Sequence, residues 1–225
     1  MKYSFRWFGP NDPTKLDDIR HTEAREIVTS LSHIKYGEKW SYEEILKRKK
    51  NIEKIKYKNQ TQLKWSVVES LPVHNDIKLR SGKYKYYINQ YKDSLINLSK
   101  NNIKTVCYNF MPLVDWIRTD LSFKLDNGSL ALKYNHYEMC AFELFILKLK
   151  GAEKRYSNKE ISKAKTIIKK MTNSQKNKLS KALLGGMAAT DRQYTFNKLD
   201  YEISKYKDIT HSDLRQNLKL FLLEI

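Results

Sequence analysis

Four apolar runs of strand length alternate with helical patterns over the first 111 residues, and no other feature restricts the fold as strongly. The runs are Ser4 to Phe8, Ile27 to Leu31, Leu63 to Val68 and Lys104 to Met111. Each is apolar along most of its length rather than on alternate positions, which is the pattern of strands covered on both faces. Each ends in a turn and helices separate them, so the four are predicted to be parallel strands joined by crossover helices. Asp12 before Pro13 is predicted to cap a short first helix carrying Leu16 and Ile19. Ser41 and Glu44 have capping-box spacing and open a second helix with Ile45, Ile52 and Ile55 on one side. The helix from Gly82 to Lys100 is the most regular, because Tyr84, Tyr87, Ile88, Tyr91, Leu95 and Leu98 recur at helical spacing and predict a stripe lying on the sheet.

The fourth run carries one amide, Asn109, and meets Pro112, which cannot donate to a sheet ladder. Asp115, Trp116, Arg118, Thr119 and Asp120 follow at once. The alternation then stops. Asp126-Asn127-Gly128 between Phe123, Leu125, Leu130 and Leu132 predicts a hairpin. Helices follow, with capping-box spacing at Asn135/Glu138, Ser157/Glu160 and Thr172/Gln175 and a break at Gly185-Gly186. A last helix from about Ser212 places Leu214, Leu218, Phe221, Leu222 and Ile225 on one face. An α/β chain with this order fits the first half of a (β/α)8 barrel, ended before a fifth strand, with residues from about 122 to 211 inserted after strand four. The expectation is a single domain over 1–225 that is the N-terminal part of an incomplete barrel.

The formal charge of +18 raises nucleic-acid binding as a function. Only 9 of the 43 basic residues are Arg, however, and Arg supplies the planar fork that phosphate and base recognition favour. The lysines are spread along helices at 47 to 58, 148 to 181 and 198 to 207, as on solvated faces, so no nucleic-acid partner is expected. No apolar run reaches the roughly 20 residues of a membrane span, and the N-terminus lacks the apolar core of a secretory signal. A cytoplasmic protein without a membrane partner is expected. Cys107 and Cys140 stand apart, without a C-x-x-C pair, and read as buried free thiols.

In a parallel barrel the chemistry gathers at the C-terminal ends of the strands. There this sequence places Trp7 and Asn11, His33, Glu69 and His74, and finally Asn109, Asp115, Trp116 and Arg118. Each has a structural alternative. His33 and His74 could be surface loop residues. Glu69 either opens into the barrel mouth or is buried and paired. Asn109 could be satisfied by substrate or by a neighbouring loop, and Trp116 serves packing or the stacking of a sugar. Together the residue types suit a small polyhydroxylated acid, with His and Glu for protons or metal and Arg for a carboxylate. Dinucleotide, P-loop, nucleophile-elbow and zincin motifs are absent from the sequence.

At the same stretches the sequence resembles the mannonate dehydratase family. The resemblance is carried by FRWFGPNDP (5 to 13), SHIKYGEKWSYEEILKRK (32 to 49), WSVVESLPVHNDIK (65 to 78), TVCYNFMPLVDWIRTDL (105 to 121) and AFELFILK (141 to 148). It implies a xylose-isomerase-like TIM barrel and a lyase of hexuronate catabolism that dehydrates D-mannonate to 2-dehydro-3-deoxy-D-gluconate with Mn²⁺ or Fe²⁺. It also implies that the metal ligands and the principal acid and base lie beyond position 225, so that this chain supplies no metal ligand and is inactive alone. The positions it leaves here for holding substrate are His33, Glu69, His74, Asn109 and Arg118. Ser32 stands where the family commonly has a second histidine, Lys35 replaces a usual proline, and residues 54 to 64 form a longer turn. GGMAATDR near 185 to 192 also departs from the family pattern. A homo-oligomer is left open. The competing readings are a related metal-dependent sugar-acid lyase or sugar isomerase, and a basic nucleic-acid-binding module without catalysis.

Overall fold

The computed structural model describes residues 2–113, 117–185 and 194–225. Its elements in chain order are β1 (Ser4–Arg6), α1 (Leu16–Arg20), β2 (Glu26–Thr29), α2 (Tyr42–Glu53), β3 (Lys64–Pro72), α3 (Asn75–Leu79), α4 (Tyr84–Lys100) and β4 (Thr105–Asn109). Then come β5 (Asp120–Lys124), β6 (Leu130–Lys133), α5 (His136–Ala141), a π-helical turn at Phe142–Ile146 and a 3-10 turn at Ala152–Arg155. Four helices follow, α6 (Asn158–Lys170), α7 (Asn173–Leu184), α8 (Phe196–Ser204) and α9 (His211–Glu224). They fall into two compact units, one built from the chain up to Pro112 together with Asp208–Ile225, the other from Leu113–Lys207. Among the described residues no helix is long and apolar enough to cross a membrane.

The first unit is a four-stranded parallel sheet in the order β1-β2-β3-β4, the order of the chain. Ser4 pairs with Glu26, Ile27 with Trp65, and Val68 with Val106, all in parallel register. Trp65, Ile27, Leu63, Ile45 and Ile52 are fully buried between sheet and helices, and removal of this apolar area from water is the main stabilising term. The stripe of α4 packs as its spacing predicts, with Ile88, Tyr91 and Leu98 buried and Tyr84, Tyr87 and Leu95 packed around them. Phe221 of α9 completes the core: it is fully buried, with its ring 5.1 Å from Tyr91 and 5.9 Å from Phe110. Arg80 and Glu224 pair at 2.7 Å, and Asn217 Nδ2 donates to the Lys78 carbonyl at 2.9 Å, fixing α9 beside α3.

Several local expectations are corrected. Asp12 does not cap a helix. Its buried carboxylate accepts from the amides of Phe8 (2.7 Å) and Thr14 (2.9 Å), folding the loop after β1 onto itself, and α1 begins three residues beyond Pro13. Ser41 does cap α2, accepting from Glu44 N, but Glu44 turns to His33 instead of completing the box. Ile55 lies past the end of α2 and is 48% exposed. Strand β3 runs on to Pro72, and the short α3 that follows was not anticipated. On α9, Leu222 and Ile225 face solvent, so the packed stripe is narrower than the one expected. Cys107 is exposed; Cys140 is buried, and both are free.

In the second unit β5 and β6 form an antiparallel ribbon whose turn places Gly128 at φ +83°, in the left-handed region a side chain disfavours. Full capping boxes open α6 (Ser157 with Glu160) and α7 (Thr172 with Gln175), as their spacing predicts. Asn135 caps α5 by accepting from Tyr137 and Glu138 amides. Phe142, Leu179 and Leu183 form one small core, and Cys140, Ala141 and Ala164 form another. Glu143 is buried in the π-helical turn, where Tyr156 Oη donates to it at 2.5 Å and Arg155 at 2.8 Å. Burial, then that carboxylate, push the Tyr156 phenol well above its usual range.

Candidate functional site

The residues expected to line a site fall into separate neighbourhoods. At the ends of β1, β3 and β4, Arg6 Nε lies 3.5 Å from Glu69 Oε2, and the Asn109 amide donates to Ser70 Oγ at 3.1 Å. A cis peptide joins Glu69 to Ser70, where the pairing of β3 with β4 shifts between Val68 and Leu71. Arg6 also donates from Nη1 to the carbonyls of Trp7 and Val28, and burial draws its guanidinium below the usual value while Glu69 acts the other way. Glu69 itself is 43% exposed. It is therefore an ion-paired carboxylate open to solvent at the register shift near the C-terminal end of β3, able to meet a bound polar molecule.

His74 is held differently. It caps α3, its Nδ1 accepting from the Asp76 amide at 3.1 Å, which puts the proton of the neutral imidazole on Nε2. Its ring stacks on Tyr87 with centroids 3.5 Å apart and meets Tyr36 at 4.8 Å. Gly37, at φ +85°, lies so close that a Cβ there would stand 2.8 Å from both the His74 and Tyr87 rings. Nearby, the ammonium of the fully buried Lys78 donates to the Met111 carbonyl at 2.7 Å, tying α3 to the segment after β4.

His33 and Asn11 come together elsewhere, at a cavity of about 420 Å³ formed by the loops after β1 and β2 and by α2. Asn11, Ser32, His33, Glu44, Arg48 and Asn51 line it. His33 Nε2 is 2.9 Å from Glu44 Oε2, and that hydrogen bond holds the Glu44 carboxyl below its usual range. Trp7 is buried and donates from Nε1 to the Thr14 carbonyl, so it supports the loop from beneath. Arg48, which reading the sequence for strand-end residues misses, is 8% exposed. A signal for it existed: with Ile45 and Ile52 it shares the buried face of α2, where the helical period calls for an apolar side chain.

Arg118 belongs to the second unit, and its Nη1 donates to the Ile117 carbonyl at 2.9 Å. Asp115 and Trp116 lie outside the described residues. Among the described residues no three His, Cys, Asp or Glu side chains group as a divalent cation would require. The described residues by themselves do not fit a metal site.

A model of the D-mannonate dehydratase family matches residues 1–225. The mannonate dehydratase of Marinomonas sp. is 45% identical over all 225 residues, which cover 56% of that protein, and that of Saccharophagus degradans is 40% identical, with 55% covered. The crystal structure of mannonate dehydratase from Streptococcus suis serotype 2 superposes with a TM-score of 0.65 at 29% identity, over the whole of this chain and 49% of that one. The chain thus spans about half the length of the curated relatives it matches. With the family model aligned over every residue and 45% identity retained along the full length, this protein belongs to the D-mannonate dehydratase family.

Proposed function

We propose that the chain forms part of a hydro-lyase that converts D-mannonate to 2-dehydro-3-deoxy-D-gluconate. The observation that carries this reading is the family match along the whole chain. The parallel sheet in chain order, open at β1 and β4, supports a further proposal, that β1–β4 are consecutive strands of a xylose-isomerase-like (β/α)8 barrel with the second unit inserted after β4. Exposed Cys107 and 40%-exposed Tyr108 on β4 fit a strand that the rest of a barrel would cover.

The reaction removes a weakly acidic proton from C2, beside the carboxylate, and expels the C3 hydroxyl as water. In this reading Mn²⁺ or Fe²⁺ would supply Lewis-acid chemistry, and no residue of this chain is assigned to hold it. The part of this chain is to hold the substrate. Glu69 and Asn109, on neighbouring strands, accept from and donate to substrate hydroxyls; Arg118, on the other unit, is a separate proposal for contact with a substrate oxygen. His33 stands at the rim, and His74 fixes the loop between β3 and α3 through its cap and its ring stack.

The test is to incubate the protein with D-mannonate and Mn²⁺, alone and mixed with the part of the Marinomonas relative that this chain does not cover, and to follow the 2-keto product. Product in the mixture is expected. Its absence, with salt-sensitive RNA or DNA binding instead, would favour the basic binding module. In the active mixture Arg118→Ala should lower kcat/KM by about tenfold or more; wild-type kinetics would remove Arg118 from the site.

A further inference from the structure

The cavity between the loop after β1 and helix α2 is lined by one buried cation, Arg48. Arg48 Nη1 donates to the Ser30 carbonyl at 3.0 Å, and its Cζ lies 5.4 Å from the Trp7 ring. Among the described residues that is its one hydrogen bond, and no carboxylate lies in ion-pair range of it. Its other donors are nevertheless absent from the buried polar atoms without partners, so they reach open space, and the space beside them is this cavity. An unsatisfied guanidinium on a nine-tenths-buried side chain is costly unless something meets it. Gly9 makes the approach feasible. At φ +104° it passes so close that a Cβ would stand 3.2 Å from Arg48 Nη1.

The walls narrow the choice of ligand. Lys47 adds a second cation at the rim, while the Glu44 carboxylate, engaged by His33, reduces the local positive charge and disfavours a dianion. A guanidinium fork matches the two oxygens of a carboxylate. Asn11, Asn51 and Ser32 add amide and hydroxyl groups that can both donate and accept, as sugar hydroxyls require. The volume, about 420 Å³, is within the range of small-molecule sites.

We propose that this cavity binds a small hydroxy acid, with Arg48 gripping the carboxylate and Asn11 and Asn51 the neighbouring hydroxyls. Equating that acid with D-mannonate rests on the function proposed above; the carboxylate site itself does not.

The experiment titrates the protein with D-mannonate, D-gluconate, acetate and uncharged mannitol while following the His33 ring signals by NMR, with no turnover needed. Saturable shifts with the hydroxy acids are expected, weaker with acetate and absent with mannitol. Arg48→Lys keeps the charge but loses the fork and should weaken binding about tenfold, and the surface variant Asn51→Ala about threefold. Thermal melts confirm that each variant is folded. If Arg48→Lys does not fold, Asn51→Ala and the mannitol comparison decide alone. Unchanged affinity in the folded variants, equal binding of mannitol, or no saturable shift with any carboxylate would overturn the site. D-gluconate binding without D-mannonate binding would keep the site and sink the mannonate assignment. Dehydration of D-mannonate with a silent His33 would do the reverse.

Discussion

At the scale of single residues, the loop after β2 depends on a position with no side chain. Gly37 lies under the stacked rings of His74 and Tyr87 with a backbone conformation that a Cβ strains. Gly37→Ala should therefore lose about 1–3 kcal/mol, combining positive-φ strain with displacement of packed rings. Urea melts measure this as a lower midpoint at unchanged slope, and an unchanged midpoint would contradict the close approach. The same residues explain why part of the site was hard to read in the sequence. His74 was visible as a histidine after a strand, but its role as helix cap and ring-stack member depends on Asp76 and Tyr87, and the tyrosine was legible only as one position of an apolar stripe. Arg48 was hidden because a basic residue in a Lys-rich helix reads as surface, and only its phase relative to Ile45 and Ile52 betrays its burial.

At the scale of elements, capping chemistry predicts behaviour in acid. Glu160 accepts from Ser157 Oγ and Ser157 N, each at 2.7 Å, and lies 2.7 Å from His136 Nε2. These hydrogen bonds, the Ser157 hydroxyl first, bring its carboxyl down to about 2 from an ordinary 4.5. A carboxyl depressed in the folded state contributes its full stabilisation above the unfolded value and loses it as pH falls through the folded one. The start of α6 should therefore weaken between about pH 4.5 and pH 2, and ¹³C titration of the Glu160 carboxyl should give a midpoint near the lower end. A midpoint near 4.5 would show that the box is not formed in solution. Capping residues were the most legible feature of this region, since Ser157, Thr172 and Asn135 each start a helix as their spacing suggests. Asp12 misled because the order Asp-Pro satisfies a helix start and a self-closing loop equally well. Strand β3 outran its prediction because pairing with β4 carries Leu71 and Pro72 past the polar pair Glu69-Ser70, a tertiary effect that no local pattern contains.

At the scale of the whole molecule, the parallel sheet was readable from the alternation of apolar runs and helices. The apolar stripe of the last helix called for a sheet to lie on, but not for the particular slot beside Tyr91 and Phe110 that it fills. Phe221 is the measure of the chain's return to the first unit. Phe221→Ala should cost about 3–5 kcal/mol in the first unit, as for other buried aromatic truncations. Hydrogen exchange of Tyr91 and its neighbours on α4 should speed accordingly, while α6 and α7 in the other unit keep their protection. Equal loss in both units would contradict the division. The same return has a consequence for the order of events on the ribosome. Residues 113 to 207 are contiguous and can complete their own packing as soon as they emerge, but the slot beside Tyr91 and Phe110 stays vacant until residue 221 has been made. For about 110 residues of synthesis, or roughly 5–20 s at about 5–20 residues per second, the nascent sheet waits with an aromatic hole in its side. In that interval the apolar faces of Tyr91 and Phe110 stay open to water.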